Sequence, residues 1–330
     1  MTVHCGTSGT LRRSRCTLAR VVALAVAAFV RQPGLRAQRI VDEALRDFPA
    51  ETVRLEYTNL ASLRKLQNYD ALRERYLAAG LKDLENSLAK LGIEESDLDE
   101  LVLGWPGAKE GKLDAGGGLY GLAQGRFRTA EITDLAAARK VKPIPVGSVE
   151  AFCVSSSEQG PCLCSLDEVM GAFGSLKQLS AMVGAREGGD EGLSSNDLFA
   201  RLTNGSRPDS PIWGVATDAA IGDWIRSSMP GQETMRQESM RFDSSLVLTG
   251  VEALTYSIDV TERVCIVLRF DCSSSASAGN LRQMLSGLEI LQRMAWQSRN
   301  PNLPNPLEKL ALESSGERVE VKVDALVPTP

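Results

Sequence analysis

The sequence contains one histidine, His4, close to its amino terminus. The segment that carries His4 is predicted below to be removed, which would leave a mature chain with no histidine. Without an imidazole, a protein has no Ser-His-Asp or Cys-His catalysis, no histidine acid–base chemistry and no histidine-containing zinc site. Several large enzyme classes are therefore excluded for the mature chain.

The sequence also lacks a run of apolar residues long enough to span a membrane, which takes about 18 residues. The apolar run Val21–Val30 is shorter, follows arginines at positions 12 to 20, and precedes Pro33 and Gly34. A basic region, a short apolar run and a small residue at Ala37 are typical of a secretory signal. We therefore predict a signal peptide over residues 1–37, with a retained amino-terminal anchor as the alternative.

The sequence lacks the excess of positive charge that nucleic-acid binding needs. Residues 1–37 hold six arginines and no acidic residue, so 31 of the 37 basic and all 42 acidic residues remain after cleavage. An acidic surface repels phosphate backbones. We expect an exported periplasmic or extracellular protein with no nucleic-acid partner and no integral membrane span after signal cleavage.

Cysteine is sparse, and five cysteines follow the predicted signal. In an oxidising compartment Cys153 can pair with Cys162 or with Cys164 across a hairpin whose connecting residues favour a turn. Cys265 and Cys272 end one predicted strand of about 23 Å, which is too long for a bridge between them. The candidate disulfide residues are therefore Cys153, Cys162 and Cys164.

One motif has the form of a serine hydrolase site, in which a lysine assists a serine nucleophile. Ser62 and Lys65 match S-x-x-K, and Ser194–Asn196 is an imperfect form of the second motif of those enzymes. The third motif, K-T-G, is absent from the sequence. Ser62 and Lys65 therefore have two interpretations: the active site of a histidine-independent hydrolase, or a solvated helix face.

The sequence predicts no cofactor and no metal. Gly116, Gly118 and Gly121 match G-x-G-x-x-G, but they precede a predicted strand, whereas a dinucleotide-binding loop must open a helix. An acidic stretch could supply carboxylates for glycoside hydrolysis or for calcium binding. The high density of acidic residues favours a solvated face instead, and no EF-hand spacing is present. It comprises Glu94, Glu95, Asp97, Asp99 and Glu100.

Apolar periodicity predicts an α+β fold. Val53, Leu55 and Tyr57 alternate with polar residues as in a half-buried strand, and Ser175 with Gln178 forms a helix-capping box. Strands grouped as hairpins between helices favour antiparallel sheets with helices on one face, in two related split β-α-β halves. A polar linker at 186–195 predicts domains at 38–190 and 191–330.

Several segments together resemble a broad group of uncharacterised exported bacterial proteins that are built from repeated α+β units. They are Phe48–Thr52, Tyr120–Phe127, the strand pair within Val149–Leu166, and Pro211–Gly214. The resemblance covers most of residues 45 to 326. It implies a noncatalytic role outside the cytoplasm and brings no catalytic residues.

We therefore predict a noncatalytic exported protein that binds another protein or a component of the cell envelope. Two alternatives stay open. One is a histidine-independent hydrolase that uses carboxylates or Ser62 and Lys65. The other is a small-molecule carrier with its pocket between the two predicted domains, where ligand sites are common.

Overall fold

The computed structural model divides the chain into two compact units, Met1–Arg39 and Ile40–Pro330. The described residues are 33–70, 73, 79–107, 118–154, 160–205, 209–217, 220–222, 248–261, 263–299 and 309–326. Most of the predicted signal peptide lies outside them. Ala37 lies in a helix that begins at Pro33, where proline is well tolerated because the first helical amide needs no partner. Cleavage after Ala37 stays a prediction.

The helices and strands of the described residues alternate in groups along the chain. The helices are α1 (Pro33–Asp47), α2 (Leu60–Leu63), α3 (Ala79–Ala89), α4 (Thr129–Ala138), α5 (Leu176–Arg186), α6 (Asp197–Gly205) and α7 (Ser275–Arg299). The strands are β1 (Thr52–Asn59), β2 (Leu98–Pro106), β3 (Tyr120–Gly125), β4 (Pro143–Val146), β5 (Val149–Cys153), β6 (Cys162–Ser165), β7 (Met170–Gly174), β8 (Ile212–Thr217), β9 (Val251–Val260), β10 (Arg263–Cys272), β11 (Leu310–Ser315) and β12 (Arg318–Leu326).

These strands form one sheet of 12 strands in the order β11-β12-β10-β9-β8-β1-β2-β3-β7-β6-β5-β4. Every neighbouring pair is antiparallel. The predicted α+β class and the antiparallel pairing of strands are confirmed. The predicted capping box is also present, since Ser175 and Gln178 exchange hydrogen bonds at the start of α5.

The strands before and after the predicted linker follow the same route through the sheet. In the first half, β1, β2 and β3 form a meander, α4 follows, and β7 returns to pair with β3. In the second half, β8, β9 and β10 form a meander, α7 follows, and β12 returns to pair with β10. Strands β1 and β8 pair with each other, so the two predicted domains contribute to one continuous sheet.

Helices cover both faces of this sheet, whereas the sequence predicted cover on one face. Leu103 packs with side chains of α3 and α4, while the adjacent Gly104 lies against Phe48, which follows α1. Neighbouring residues of a strand point to opposite faces, so α1 and α4 lie on opposite faces. The reason is visible in β8, which is buried at nearly every position and needs apolar cover on both sides.

Helices α4 and α7 share a face. Residues that are directly opposed in antiparallel strands point to the same side of the sheet. The register runs from Leu103 through Glu56 and Gly214 to Tyr256, and Tyr256 packs in a cluster with Leu281 of α7. The two halves thus each place an apolar cluster on this face.

Candidate functional site

The cysteine hairpin is the first predicted site that the structure brings together. Cys153 on β5 and Cys162 on β6 are directly opposed and joined by a disulfide. Cys164 is opposite Ala151 and is a buried free thiol. Burial raises the pKa of the Cys164 thiol to about 12, so it carries little thiolate at neutral pH and is a poor nucleophile.

The two parts of the predicted serine-hydrolase motif lie apart in the structure. Ser62 lies in α2, where its amide donates a 2.8 Å hydrogen bond to the side chain of Asn59, and Lys65 is exposed. Ser194–Asn196 lies beside the opposite end of β1, because the adjacent Leu193 donates a hydrogen bond to the carbonyl of Phe48. Strand β1 spans about 23 Å between these places.

The acidic stretch serves local contacts. Asp97 accepts a 3.1 Å hydrogen bond from the amide of Glu94, and Glu95 accepts hydrogen bonds from Arg64 at 2.9 Å and from Tyr69 at 2.7 Å. Glu100 is buried in the sheet. Within the described ranges, no group of three or more histidine, cysteine or acidic residues is placed to hold a metal ion.

The glycine motif also has a structural role. Gly116 lies outside the described residues, and Gly118 precedes β3 without opening a helix. A side chain at Gly121 would lie within 2.5 Å of the ring of Phe173 and of the carbonyl of Val102. Gly121 therefore allows close packing inside the sheet.

A polar and aromatic cluster lies on the α4/α7 face where the two halves of the sheet meet. We call Arg54, Glu56, Trp105 and Tyr256 the central cluster. The guanidinium carbon of Arg54 lies 3.9 Å from the ring centroid of Trp105, and its Nη2 donates a 2.8 Å hydrogen bond to Glu56. The hydroxyl of Tyr256 donates to the same carboxylate.

The charges of the central cluster are balanced. Burial, reinforced by Glu56, raises the pKa of Tyr256 well above its ordinary value, so the phenol stays neutral. Burial opposes the charge of Arg54, but Glu56 and Tyr256 together more than offset this effect, and the Arg54 pKa is raised. The Nε–H of Arg54 has no hydrogen-bond partner within the described part of the chain. The cluster can thus offer one hydrogen-bond donor to an acceptor group. Because their pKa values are raised, Arg54 and Tyr256 do not give up their protons readily.

A second surface lies on the carboxyl-terminal half of α7. Ile290, Leu291 and Met294 are 57%, 64% and 62% exposed, and we call these three residues the α7 patch. The first half of the helix is anchored instead, because Ala278 and Leu281 are buried in an apolar cluster. No helix among the described residues is both long and apolar enough to cross a membrane.

Neither surface is marked by a local motif in the sequence. The central cluster joins residues of β1, β2 and β9, which no local motif connects. The α7 patch follows the buried residues Ala278 and Leu281 on the same helix, and the sequence alone does not show where along α7 burial ends.

Comparison with known proteins adds little to this geometry. The sequence matches no protein family model and no curated protein. Crystal form III of TP0453 is similar to the chain with a TM-score of 0.49 and 10% sequence identity, over 86% of this chain and 93% of that one. Crystal form I of the same protein gives a TM-score of 0.48 at 10% identity, over 86% and 92% of the two chains. Likeness at this level indicates nothing about function, and the resemblance to exported proteins with repeated units stays a prediction.

Proposed function

We propose that the chain is an exported, noncatalytic protein that binds another protein or a component of the cell envelope through the α7 patch. The observation that carries this proposal is the exposure of three large apolar side chains within five residues of one helix. Contiguous exposed apolar surface marks interaction sites. Methionine adapts its shape to a partner, and an apolar helix face fits a groove.

The contacts of the candidate reactive groups support a binding role over a hydrolytic one. Ser62 and the exposed Lys65 lie far from Ser194–Asn196, and the thiol of Cys164 is buried with a raised pKa. Glu95 is held by Arg64 and Tyr69. Glu95 thus stabilises local structure at its position.

The disulfide between Cys153 and Cys162 supports export, because disulfides persist in oxidising compartments. Mass spectrometry of the protein recovered outside the cytoplasm tests this part of the proposal. We expect a chain that begins at Gln38, lacks His4 and carries one disulfide. An intact chain that begins at Met1 in the cytosolic fraction would contradict it.

Photocrosslinking in the cells that make the protein tests the contact surface. A photoreactive amino acid in place of Leu291 is expected to form an adduct, whose mass distinguishes a protein from a lipid or glycan. The matched control places the same amino acid at Arg282, an exposed position in the anchored half of α7. Met294→Glu should abolish the adduct at position 291. Equal adducts at both positions, or none at either, would overturn the proposal.

A small-molecule carrier is the second candidate, and the unpartnered Nε–H of Arg54 favours it. Buried donors in proteins nearly always have a partner, and an acceptor group of a ligand would supply one. Calorimetric titration with acetate and with inorganic phosphate tests this role. Saturable binding that Arg54→Lys abolishes supports the carrier, and the absence of heat with either anion rejects an anion site at Arg54.

A further inference from the structure

The two edges of the sheet differ in their ability to pair with another strand. The β4–β5 hairpin closes at the pair Val146 and Val149, so the inward hydrogen bonds fall at Val146 and Ile144. The outward backbone positions of β4 are then Pro143 and Pro145. Proline has no N–H to donate, and proline on an edge strand prevents further pairing.

The opposite edge has no such protection. The β11–β12 hairpin closes at the pair Ser315 and Arg318, so the backbone groups of Leu310, Leu312 and Ser314 point outward. The amide of Asp324 donates to the carbonyl of Lys309, which agrees with this alternation. Each outward position has both an N–H and a C=O. Within the described part of the chain, no strand pairs with this edge.

The equivalent edge in the first half of the sheet is occupied. Strands β7 and β6 return beside β3 in the same way that β12 and β11 return beside β10. The outer edge of β6 pairs with β5, whereas β11 has no such neighbour among the described residues of the second half. Strand β11 therefore has an open edge, whereas β6, its equivalent in the first half, pairs with a further strand.

The charged side chains at β11 are complementary to those at β11 of a second chain in an antiparallel pair. In an antiparallel pair centred on Ala311, Leu310 is opposite Leu312 of the partner subunit, and these outward backbone groups form the hydrogen bonds. Lys309 is then opposite Glu313 of the partner subunit, and both side chains are exposed in the single chain. Opposite charges across a strand pair contribute about 0.2 to 1 kcal/mol each, whereas a register centred on Glu313 would oppose two like charges.

We propose that β11 is a self-association edge, at which two copies of this chain form a symmetric dimer with a continuous sheet. The two-fold axis passes through Ala311 and runs perpendicular to the sheet. Leu310 and Leu312 pack in the same cluster as α7, so the two α7 helices lie on one face of the joined sheet. The pairs of Lys309 with Glu313 of the partner subunit lie on the other face.

Cysteine crosslinking of the full exported chain tests the register. Opposed residues of a non-hydrogen-bonded pair have Cα atoms about 4.5 Å apart, within the range of a disulfide. In a Cys265→Ser background, which removes the half-buried thiol, Ala311→Cys is expected to form an interchain disulfide on mild oxidation. Ser314→Cys, an exposed position of the same strand, is the matched control and should not crosslink. Equal crosslinking of the two variants would overturn the proposed register.

Charge reversal tests the same dimer without a covalent bond. Lys309→Glu and Glu313→Lys should each weaken dimerisation about tenfold, since two attractive pairs become repulsive, and the double variant should restore it. Sedimentation gives the dissociation constants, and the melting temperature shows that each variant is folded. A wild-type chain that stays monomeric at all accessible concentrations, or a double variant as weak as the single ones, would overturn the dimer.

Discussion

The phenol of Tyr57 donates a 2.9 Å hydrogen bond to the carboxylate of Glu100 across the β1–β2 pair, and both side chains are buried. Burial, with the nearby charge of Glu100, raises the pKa of Tyr57 far above its ordinary value. Ionisation would place two negative charges in one buried site. The neutral phenol is therefore part of the folded state of the sheet.

The first prediction is loss of stability in alkali. Burial is the main cause of the raised pKa values of Tyr57, Tyr69, Tyr120 and Tyr256. A folded pKa above the unfolded value of about 10 gives stability that is complete below that pH and declines as the pH rises. We expect the free energy of unfolding to fall above about pH 10, with the tyrosinate absorbance of these four of the five tyrosines appearing as the protein unfolds. Ordinary titration of these tyrosines in a chain with unchanged near-ultraviolet circular dichroism would contradict this.

The second prediction concerns the disulfide. Cys153→Ser opens a loop with a sequence separation of 9 and should lower the free energy of unfolding by about 2 to 3 kcal/mol. Urea unfolding measures the loss, and a reducing agent should reduce the stability of the wild-type chain by a similar amount. Cys153→Ser should be insensitive to that agent, whereas a further loss in this variant would show that another disulfide matters.

The third prediction concerns the ion pair that joins α5 to α1. Arg186 donates a 2.6 Å hydrogen bond to Asp47, whose side chain is buried. Arg186→Leu should cost about 1.5 to 3 kcal/mol at pH 7. Arg128 forms an exposed ion pair with Glu131, so the matched variant Arg128→Leu should cost less than about 1 kcal/mol. Equal losses in the two variants would show that the Arg186 contact adds no more than a surface pair.

The pH dependence of that third prediction follows from Asp47. Burial is the largest influence on its carboxyl and raises the pKa, although Arg46 and Arg186 oppose the rise. Folding is then favoured as the pH falls through the folded pKa, because the protonated carboxyl needs no counter-charge. The loss caused by Arg186→Leu should therefore shrink between pH 7 and about pH 4 in paired urea titrations.

The fourth prediction concerns Gly214, which gives Tyr256 room over β8. A Cβ atom at Gly214 would lie 2.4 Å from the ring of Tyr256 and 2.7 Å from the carbonyl of Leu55. Gly214→Ala should therefore cost about 1 to 3 kcal/mol through overpacking. Gly279→Ala is the matched control, since no atom lies within 4 Å of that Cβ position in α7, and it should gain up to about 1 kcal/mol. Thermal unfolding distinguishes the two signs.

Local signals in the sequence predicted local structure well. The capping box of Ser175 and Gln178 depends on residues three apart, and the structure contains it. The alternation at Val53, Leu55 and Tyr57 likewise marks β1. The hairpin predicted that Cys153 pairs nearby, but only the register shows that Cys162, rather than Cys164, is opposite.

Features that depend on distant parts of the chain were not predictable in this way. Pro143 and Pro145 argue against a strand, yet β4 tolerates them because it lies at the edge of the sheet. Leu193 lies in the predicted linker, yet its side chain is fully buried and its amide donates a hydrogen bond to the carbonyl of Phe48. The central cluster depends on where strands β1, β2 and β9 meet. The α7 patch depends on where the sheet ceases to cover the helix.

The pairing of β1 with β8 has a consequence for synthesis of the chain. Strands β1 to β7 can pair with one another as soon as they emerge, but one side of β1 has no neighbour until residues 212 to 217 have been made. That side is an open edge at the middle of the future sheet, where exposed strands associate with other chains. Fragments that stop short of β8 are therefore expected to aggregate, whereas chains that extend through it close the gap from within.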